Sequence, residues 1–277
     1  MYLFVDQLTN VDFSYLDPAR GLVGETWLAN FGLEGDLDEA GMICDFGQIK
    51  ALYRRWLDSQ LDHRLLVPTL APELQLNDFG EEIELSWRSL RGTIKLRVPA
   101  QAVALIPAAA ITPQACATWV VAQLRGQLPG AIARVDLEFS VEAIAGSYYH
   151  YSHGLKKHTG NCQRIAHGHR SAIAIWLDGE RSAEQEADWS QRWADVYLAT
   201  RDDLIDEGAS EYTFGYESAQ GRFQIRLPKG LCYLLECDTT VENLAQHLCQ
   251  EIKAQQPTAA VRVKAFEGIG KGAIACA

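Results

Sequence analysis

The sequence predicts an α+β protein built from two tandem copies of one unit. The first observation is an internal repeat, in which the segment from Gly92 (GTIKLRVPAQAV) recurs from Gly221 (GRFQIRLPKGLC). The matches continue in order: Arg97 with Arg226, Pro99 with Pro228, Thr112 with Thr240, and Pro129 with Pro257. The second observation is that each copy mixes alternating apolar patterns, typical of strands, with apolar residues at helical spacing.

Each copy follows the order extended pair, helix, hairpin, helix and final strand. In the extended pairs, GETWLANFGLEG from Gly24 parallels GHRSAIAIWLDG from Gly168. The hairpins alternate apolar and polar residues, as in EIELSW followed by TIKLRV. Thr112 and Thr240 are predicted helix N-caps, because apolar residues at helical spacing follow both threonines.

The boundary between the copies is expected near Ala145 and Gly146, where AIAG interrupts polar and aromatic stretches. The predicted units are therefore 1–145 and 146–277. The sequence between them is not linker-like, so we expect the two units to pack closely.

Charge and composition exclude several classes of partner. A net charge of -11 argues against nucleic-acid and anionic-membrane partners, which require a broad basic face. The first residues lack the basic-then-apolar order of a secretion signal, and no apolar run is long enough to span a bilayer. Seven scattered cysteines favour free thiols in a reducing compartment. A cytoplasmic location is therefore expected.

The segment HGLKKHTGNCQRIAHGH, residues 153–169, is the strongest candidate site. If the strand is extended, His167 and His169 share one face, and His153 on a neighbouring strand can supply a third nitrogen for zinc. Two other readings stay open at this point. The histidines can belong to a solvent-facing loop, or Cys162 can join them as the fourth ligand of a closed structural zinc site.

Basic residues surround these histidines. Lys156, Lys157, Arg164 and Arg170 form a local cluster without acids in an otherwise acidic chain, which indicates a small polyanionic ligand. An ordinary solvated basic loop fits the same charges. Histidines, thiol and basic residues together describe a site for a phosphorylated substrate.

With these residues in view, the chain resembles the family of 6-pyruvoyltetrahydropterin synthase and 6-carboxytetrahydropterin synthase, which has the tunnelling fold. That family carries His-x-Leu, a catalytic Cys, His-Gly-His, an Asp-Phe-Gly-like helix start, Leu-Asp-His, Pro-Thr-x-Glu-Asn and a late glutamate. The second copy has HGL at 153–155, Cys162, HGH at 167–169, TTVEN at 239–243 and Glu267. The first copy has CDFGQIK at 44–50 and LDHRLL at 61–66.

The two copies divide these motifs between them. In the first copy, Val23 and Glu25 stand at the positions of His167 and His169, and Cys162 has no counterpart. The second copy has no Leu-Asp-His. Because family members build active sites at subunit contacts, the resemblance implies one composite site for each contact between a first and a second copy.

The resemblance also implies an architecture. Each unit would be an antiparallel four-stranded sheet with two helices on one face, and the units would assemble edge to edge into a barrel. If first and second copies alternate, the ring needs an even number of units. A homodimer with a four-unit ring is the simplest closure.

The resemblance implies a lyase that acts on 7,8-dihydroneopterin triphosphate. Zn²⁺ would be held by His153, His167 and His169 and would polarise the side-chain hydroxyls of the substrate. Cys162 would abstract a proton, and Asp62 would orient His63 as the complementary acid/base. The implied substrate-binding residues are Glu267 on the pterin ring, Thr240 and Glu242 at the pocket, and Lys156, Lys157 and Arg164 near the phosphates.

Several alternatives stay open from the sequence. The product can be a 6-carboxy, a 6-pyruvoyl or, after side-chain cleavage, a 6-hydroxymethyl pterin. Queuosine synthesis or another pterin route can consume it. The rival from another functional class is a catalytically inactive zinc-containing pterin-binding or scaffold protein, which the decay of the first copy makes plausible.

Overall fold

A computed structural model describes residues 1–128 and 131–277. The expected match of Pro129 with Pro257 lies outside the described residues. The first repeat contains β1 (Tyr2–Asp17), β2 (Gly21–Gly35), α1 (Phe46–Gln60), β3 (Leu65–Pro68), β4 (Leu74–Asp78), β5 (Glu82–Ser89), β6 (Gly92–Pro99), β7 (Val103–Ile106), α2 (Pro113–Leu124) and β8 (Ile132–Val141).

The second repeat has the same core order of elements. It contains β9 (Tyr148–His153), β10 (His167–Leu177), β11 (Glu180–Arg181), α3 (Ala183–Arg192), β12 (Val196–Thr200), β13 (Leu204–Glu207), β14 (Glu211–Ser218), β15 (Gly221–Pro228), β16 (Cys232–Leu235), α4 (Val241–Gln255), β17 (Val261–Phe266) and β18 (Gly272–Cys276). Thr112 and Thr240 cap α2 and α4 through their hydroxyls, as predicted. The division after residue 145 stays a prediction.

Each repeat forms its own mixed sheet. The strand order is β7-β3-β1-β2-β8 in the first repeat and β16-β12-β9-β10-β17-β18 in the second. The α+β class is confirmed, but the expectation of four antiparallel strands was too simple. Short strands after each first helix and each hairpin add parallel pairs, β1 with β3 and β9 with β12. The long connections through a helix allow this parallel pairing.

One face of each sheet is covered by its two helices. In the first repeat, Tyr53 and Leu57 of α1 and Val120 of α2 pack with Phe13 and Trp27 of the sheet. A separate apolar core joins α3 and α4 to the second sheet. The periodicity of each helix therefore buries one apolar stripe against its own repeat.

The two hairpins join the repeats through a third sheet, with the order β13-β14-β15-β6-β5-β4. Across the antiparallel junction of β6 and β15, Leu96 pairs with Ile225. These two residues are equivalent in the sequence repeat, so a local twofold relation passes between them. The hairpin of residues 82–99 thus forms the first repeat's half of this sheet junction.

The first two sheets also meet at equivalent positions. The hydroxyl oxygens of Ser14 and Ser152 lie 2.7 Å apart. A Cβ on Gly24 would lie 1.8 Å from the carbonyl oxygen of Tyr151, and one on Gly168 would lie 2.7 Å from the Cα of Gly24. Glycine is required at both positions because the backbones approach too closely for a side chain.

Within the described residues, no helix is long and apolar enough to cross a membrane. The sheets of the single chain also keep edge strands, such as β8 and β18. Closure into a barrel would therefore involve further chains and stays a prediction.

Candidate active site

Three histidines converge where β9 and β10 meet. His153 at the end of β9 pairs directly with His167 at the start of β10, and His169 lies two residues further on. Alternation along the strand places His167 and His169 on one face. All three side chains are buried, and one ring nitrogen from each lies within 4.8 Å of the others. This geometry suits a metal ion with three imidazole ligands.

Hydrogen bonds orient two of the rings. Nδ1 of His153 lies 3.1 Å from the carbonyl oxygen of Thr239, and Nδ1 of His167 lies 2.8 Å from that of Arg164. If both Nδ1 atoms donate, each Nε2 is left with a lone pair for a metal. The Nε2 atoms of all three histidines are buried without a hydrogen-bond partner. Orphaned buried nitrogens of this kind fit a metal site.

Burial also sets the protonation state of these ligands. It lowers the pKa of His153 and of His167 well below the ordinary value, and the neighbouring imidazoles lower both further. Both rings are therefore neutral near pH 7, which is the form that binds a metal.

The first repeat brings Asp62 and His63 to this cluster. The two residues follow α1 in a tight turn, where His63 has a φ of 54° and donates its backbone N–H to the carbonyl oxygen of Asp12 at 2.6 Å. A positive φ is costly for a residue other than glycine and indicates a fixed conformation. The His63 ring centre lies 5.0 Å from that of His167. Both repeats thus meet at this point within one chain.

The acid and the imidazole of this pair are in direct contact. A carboxylate oxygen of Asp62 contacts Nδ1 of His63, and the other accepts the backbone N–H of Asp12 at 2.8 Å. Burial alone would lower the pKa of His63, but Asp62 and Cys162 outweigh it and raise the pKa to about 10. His63 is therefore positively charged near neutral pH.

Cys162 lies on a short turn beside His63 and His167, and the ligand atoms of these three residues are also within 4.8 Å of one another. The three-histidine set and this cysteine set share only His167. The thiol therefore adjoins the three-histidine set without belonging to it. This arrangement favours an open site with a neighbouring thiol over a closed Cys-His₃ site.

The basic residues of the loop have protein partners. Lys156 and Lys157 form ion pairs with Asp203 and Asp238 at 3.3 and 2.6 Å. Arg164 is only 4% exposed and donates from Nε to the side-chain oxygen of Gln220 at 3.0 Å. Burial lowers the pKa of Arg164 to about 10.

The remaining predicted residues occupy different surroundings. Oε1 of Glu267 lies 3.8 Å from Nε2 of His169. Thr240 caps α4, and Glu242 is exposed in the first turn of that helix. The contact to His153 comes instead from Thr239, which is fully buried.

Sequence reasoning missed two residues that contact the histidines. One is Thr239, adjacent to the predicted Thr240. The other is Asp12 of β1, whose Oδ1 lies 3.2 Å from Nδ1 of His169. A charged residue inside the apolar run VDFSYL was the available signal for Asp12.

The model of the family described as 6-pyruvoyl tetrahydropterin synthase matches this chain twice, at residues 10–145 and 142–275. The chain belongs to this family. A search of curated proteins finds no match. Among solved structures, the chain is similar to 6-pyruvoyltetrahydropterin synthases of Plasmodium vivax (17% identity, TM-score 0.41) and Plasmodium falciparum (14% identity, TM-score 0.38). Each alignment covers 50% of this chain and 90% of the other.

Family membership confirms the tandem-duplicated tunnelling fold and supports a lyase of the pterin-synthase type. Proteins of the 6-pyruvoyl tetrahydropterin synthase family are typically metal-dependent, and this chain has histidine clusters that could bind a metal.

Proposed function

We propose that this protein is a zinc-dependent lyase that converts 7,8-dihydroneopterin triphosphate to a 6-substituted tetrahydropterin. The observation that carries the proposal is the meeting of His63 from the first repeat with Cys162 and the three buried histidines of the second repeat. A binding protein would not need a thiol and an acid/base pair beside its metal ligands.

His153, His167 and His169 would hold the metal through their unpartnered Nε2 atoms. When bound, Zn²⁺ supplies Lewis acidity toward the hydroxyl groups of the substrate side chain. The neutral state of His153 and His167 and the hydrogen bonds to their Nδ1 atoms prepare these two ligands for this role.

We propose that Cys162 and His63 transfer protons to and from the substrate. Cys162 takes a proton from the substrate side chain as the base. His63, held by Asp62 and charged near neutral pH, donates a proton as the complementary acid. The two groups approach each other from different repeats, so the substrate side chain would lie between them.

We propose that residues around the histidine cluster bind the pterin ring and the phosphates of the substrate. Glu267 accepts hydrogen bonds from the amino and ring N–H groups of the pterin, a donor pair that a carboxylate matches. Lys156 and Lys157 exchange their aspartate partners for phosphate oxygens, and Arg164 contributes positive potential from behind the loop. Thr240 and Glu242 shape the pocket through the start of α4.

The test is to incubate zinc-loaded protein with 7,8-dihydroneopterin triphosphate and to identify the products by mass. We expect release of triphosphate and a 6-substituted tetrahydropterin, with losses in the Cys162→Ala and His63→Ala variants. His158→Ala is the matched control, because His158 is exposed in the same loop. No turnover with retained pterin binding would support an inactive binding or scaffold protein instead.

We also propose a cytoplasmic homodimer. All seven cysteines are free, as expected in a reducing compartment. The edge strands β8 and β18 are available for pairing with a second chain. Light scattering that gives the mass of one chain would contradict the dimer.

A further inference from the structure

Asp12 connects the first repeat to a proposed metal ligand of the second. Its carboxylate is only 2% exposed, and Oδ1 lies 3.2 Å from Nδ1 of His169. Both ring nitrogens of His169 are buried, and Nε2 lies 3.8 Å from Oε1 of Glu267. Each nitrogen of His169 therefore has a carboxylate nearby, and the Asp12 carboxylate at Nδ1 is the nearer of the two.

The position of the Asp12 carboxylate is fixed from several directions. The hydroxyl of Thr26 donates to Oδ1 at 2.6 Å, and Nζ of Lys271 lies 3.1 Å from Oδ2. The backbone of Asp12 also binds Asp62 and His63. A buried carboxylate is stable only with such partners, and these partners leave it little freedom to move.

His169 differs in this respect from the other two histidines. Nδ1 of His153 and of His167 faces a backbone carbonyl oxygen within its own repeat. His169 alone among the three faces a carboxylate from the opposite repeat. A carboxylate is the stronger acceptor, because it carries a full negative charge.

We propose that Asp12 is a positioning residue that holds the Nδ1–H tautomer of His169 and turns its Nε2 toward the metal. This inference rests on the proposed function, since it requires a metal at the three histidines. It makes the first repeat a direct contributor to metal affinity, in addition to its Asp62–His63 pair. Carboxylate partners of metal-bound histidines typically change metal affinity about 10- to 100-fold.

The test is to measure Co²⁺ and Zn²⁺ affinity by chelator competition, together with the d–d absorption of the Co²⁺ protein. We expect Asp12→Ala to lower the affinity for both metals about 10- to 100-fold and to shift the Co²⁺ spectrum. Asp12→Asn keeps an acceptor oxygen and should lose less affinity. Because the asparagine has nearly the same shape, it also serves if the alanine variant fails to fold.

The matched control is Glu25→Gln. Glu25 is another buried carboxylate of the first repeat, and it lies 3.8 Å from an imidazole, that of His150, which is not among the three histidines. This variant should keep wild-type metal affinity and spectrum.

The outcomes separate the two proposals. Wild-type affinity and an unchanged spectrum in both Asp12 variants would overturn the positioning role. Failure of the wild-type protein to bind Co²⁺ and Zn²⁺ would overturn it together with the proposed function. Metal binding that depends on Asp12, in a protein that does not convert the pterin, would sustain the positioning role and reject the lyase.

Discussion

The histidine cluster of the second repeat and the equivalent region of the first repeat have opposite chemistry. Strand register relates Ser152 and Gly168 to Ser14 and Gly24. The positions that correspond to His153, His167 and His169 are therefore Tyr15, Val23 and Glu25. None of these three is an imidazole, and valine offers no ligand atom at all.

The same correspondence relates His63 to Asp195. Both residues have a positive φ, 54° and 56°, and both donate a backbone N–H to the adjacent strand. Asp195 does not face a histidine cluster. Instead, Arg20 donates to its two carboxylate oxygens at 2.8 and 2.5 Å, and this ion pair joins the two repeats.

The comparison shows how a duplicated unit can separate two tasks. The cluster of the second repeat keeps buried ring nitrogens without partners, which is costly unless a ligand satisfies them. In the equivalent region of the first repeat, Arg20 instead pairs with Asp195 of the second repeat. One region is organised to bind a ligand, and the other holds the repeats together.

The largest expected effect is on pterin turnover, and it distinguishes His63 from its counterpart Asp195. His63→Ala should reduce pterin turnover about 10²- to 10⁴-fold, because it removes the proposed proton donor without removing a metal ligand. Asp195→Ala changes the equivalent position and should keep most of the activity per folded molecule. Steady-state rates with bound metal quantified in each sample would check this. Equal losses in both variants would contradict the division of tasks.

A smaller expected effect is on the pH dependence of the free energy of unfolding. Burial raises the pKa of Glu25 from 4.5 to about 7. The folded protein therefore holds this proton more tightly than the unfolded chain does, and the contribution of Glu25 to stability falls as pH rises from about 4.5 to about 7. Glu25→Gln removes this titration. Its free energy of unfolding should exceed that of the wild type increasingly between pH 5 and pH 8, by about 3 kcal/mol at most.

Denaturant unfolding at several pH values measures this difference. A constant gap between the Glu25→Gln variant and the wild type would show that Glu25 does not titrate in this range.

The smallest expected effect is on stability when the Arg20–Asp195 ion pair is removed. Arg20→Ala leaves Asp195 without its main partner, and we expect a loss of about 1–2 kcal/mol, because both side chains are only partly buried. Zn²⁺ affinity should stay unchanged. Urea unfolding and chelator competition test the two statements separately. Unchanged stability would show that the Arg20–Asp195 pair does not hold the repeats together. Weakened Zn²⁺ binding would show that the pair and the histidine cluster are not independent.

Local features of the fold were predictable from the sequence. Thr112 and Thr240 cap their helices because hydroxyl capping depends on neighbouring residues alone. The approach of His153 to His167 follows from strand alternation and the pairing of β9 with β10. The resemblance to a known family added Asp62 and His63, which spacing alone would have assigned to a solvated helix end.

Contacts between the repeats were not predictable in the same way. The junction of Leu96 with Ile225 and the approach of Asp12 to His169 join positions far apart in the chain. Periodicity shows which face of an element is apolar, but it does not show which distant element covers that face. The parallel strands β3 and β12 were missed because four-residue and five-residue apolar runs carry little signal.

The central claim is that one chain contains a complete composite site, with His63 and Cys162 contributed by its two repeats. The most direct measurement is pterin turnover after His63→Ala and Cys162→Ala chains are co-expressed and purified together. Each chain then has a damaged site, so we predict activity no higher than that of the more active variant alone. Recovery toward about a quarter of the wild-type rate, as expected for randomly mixed dimers with sites shared between chains, would contradict the claim.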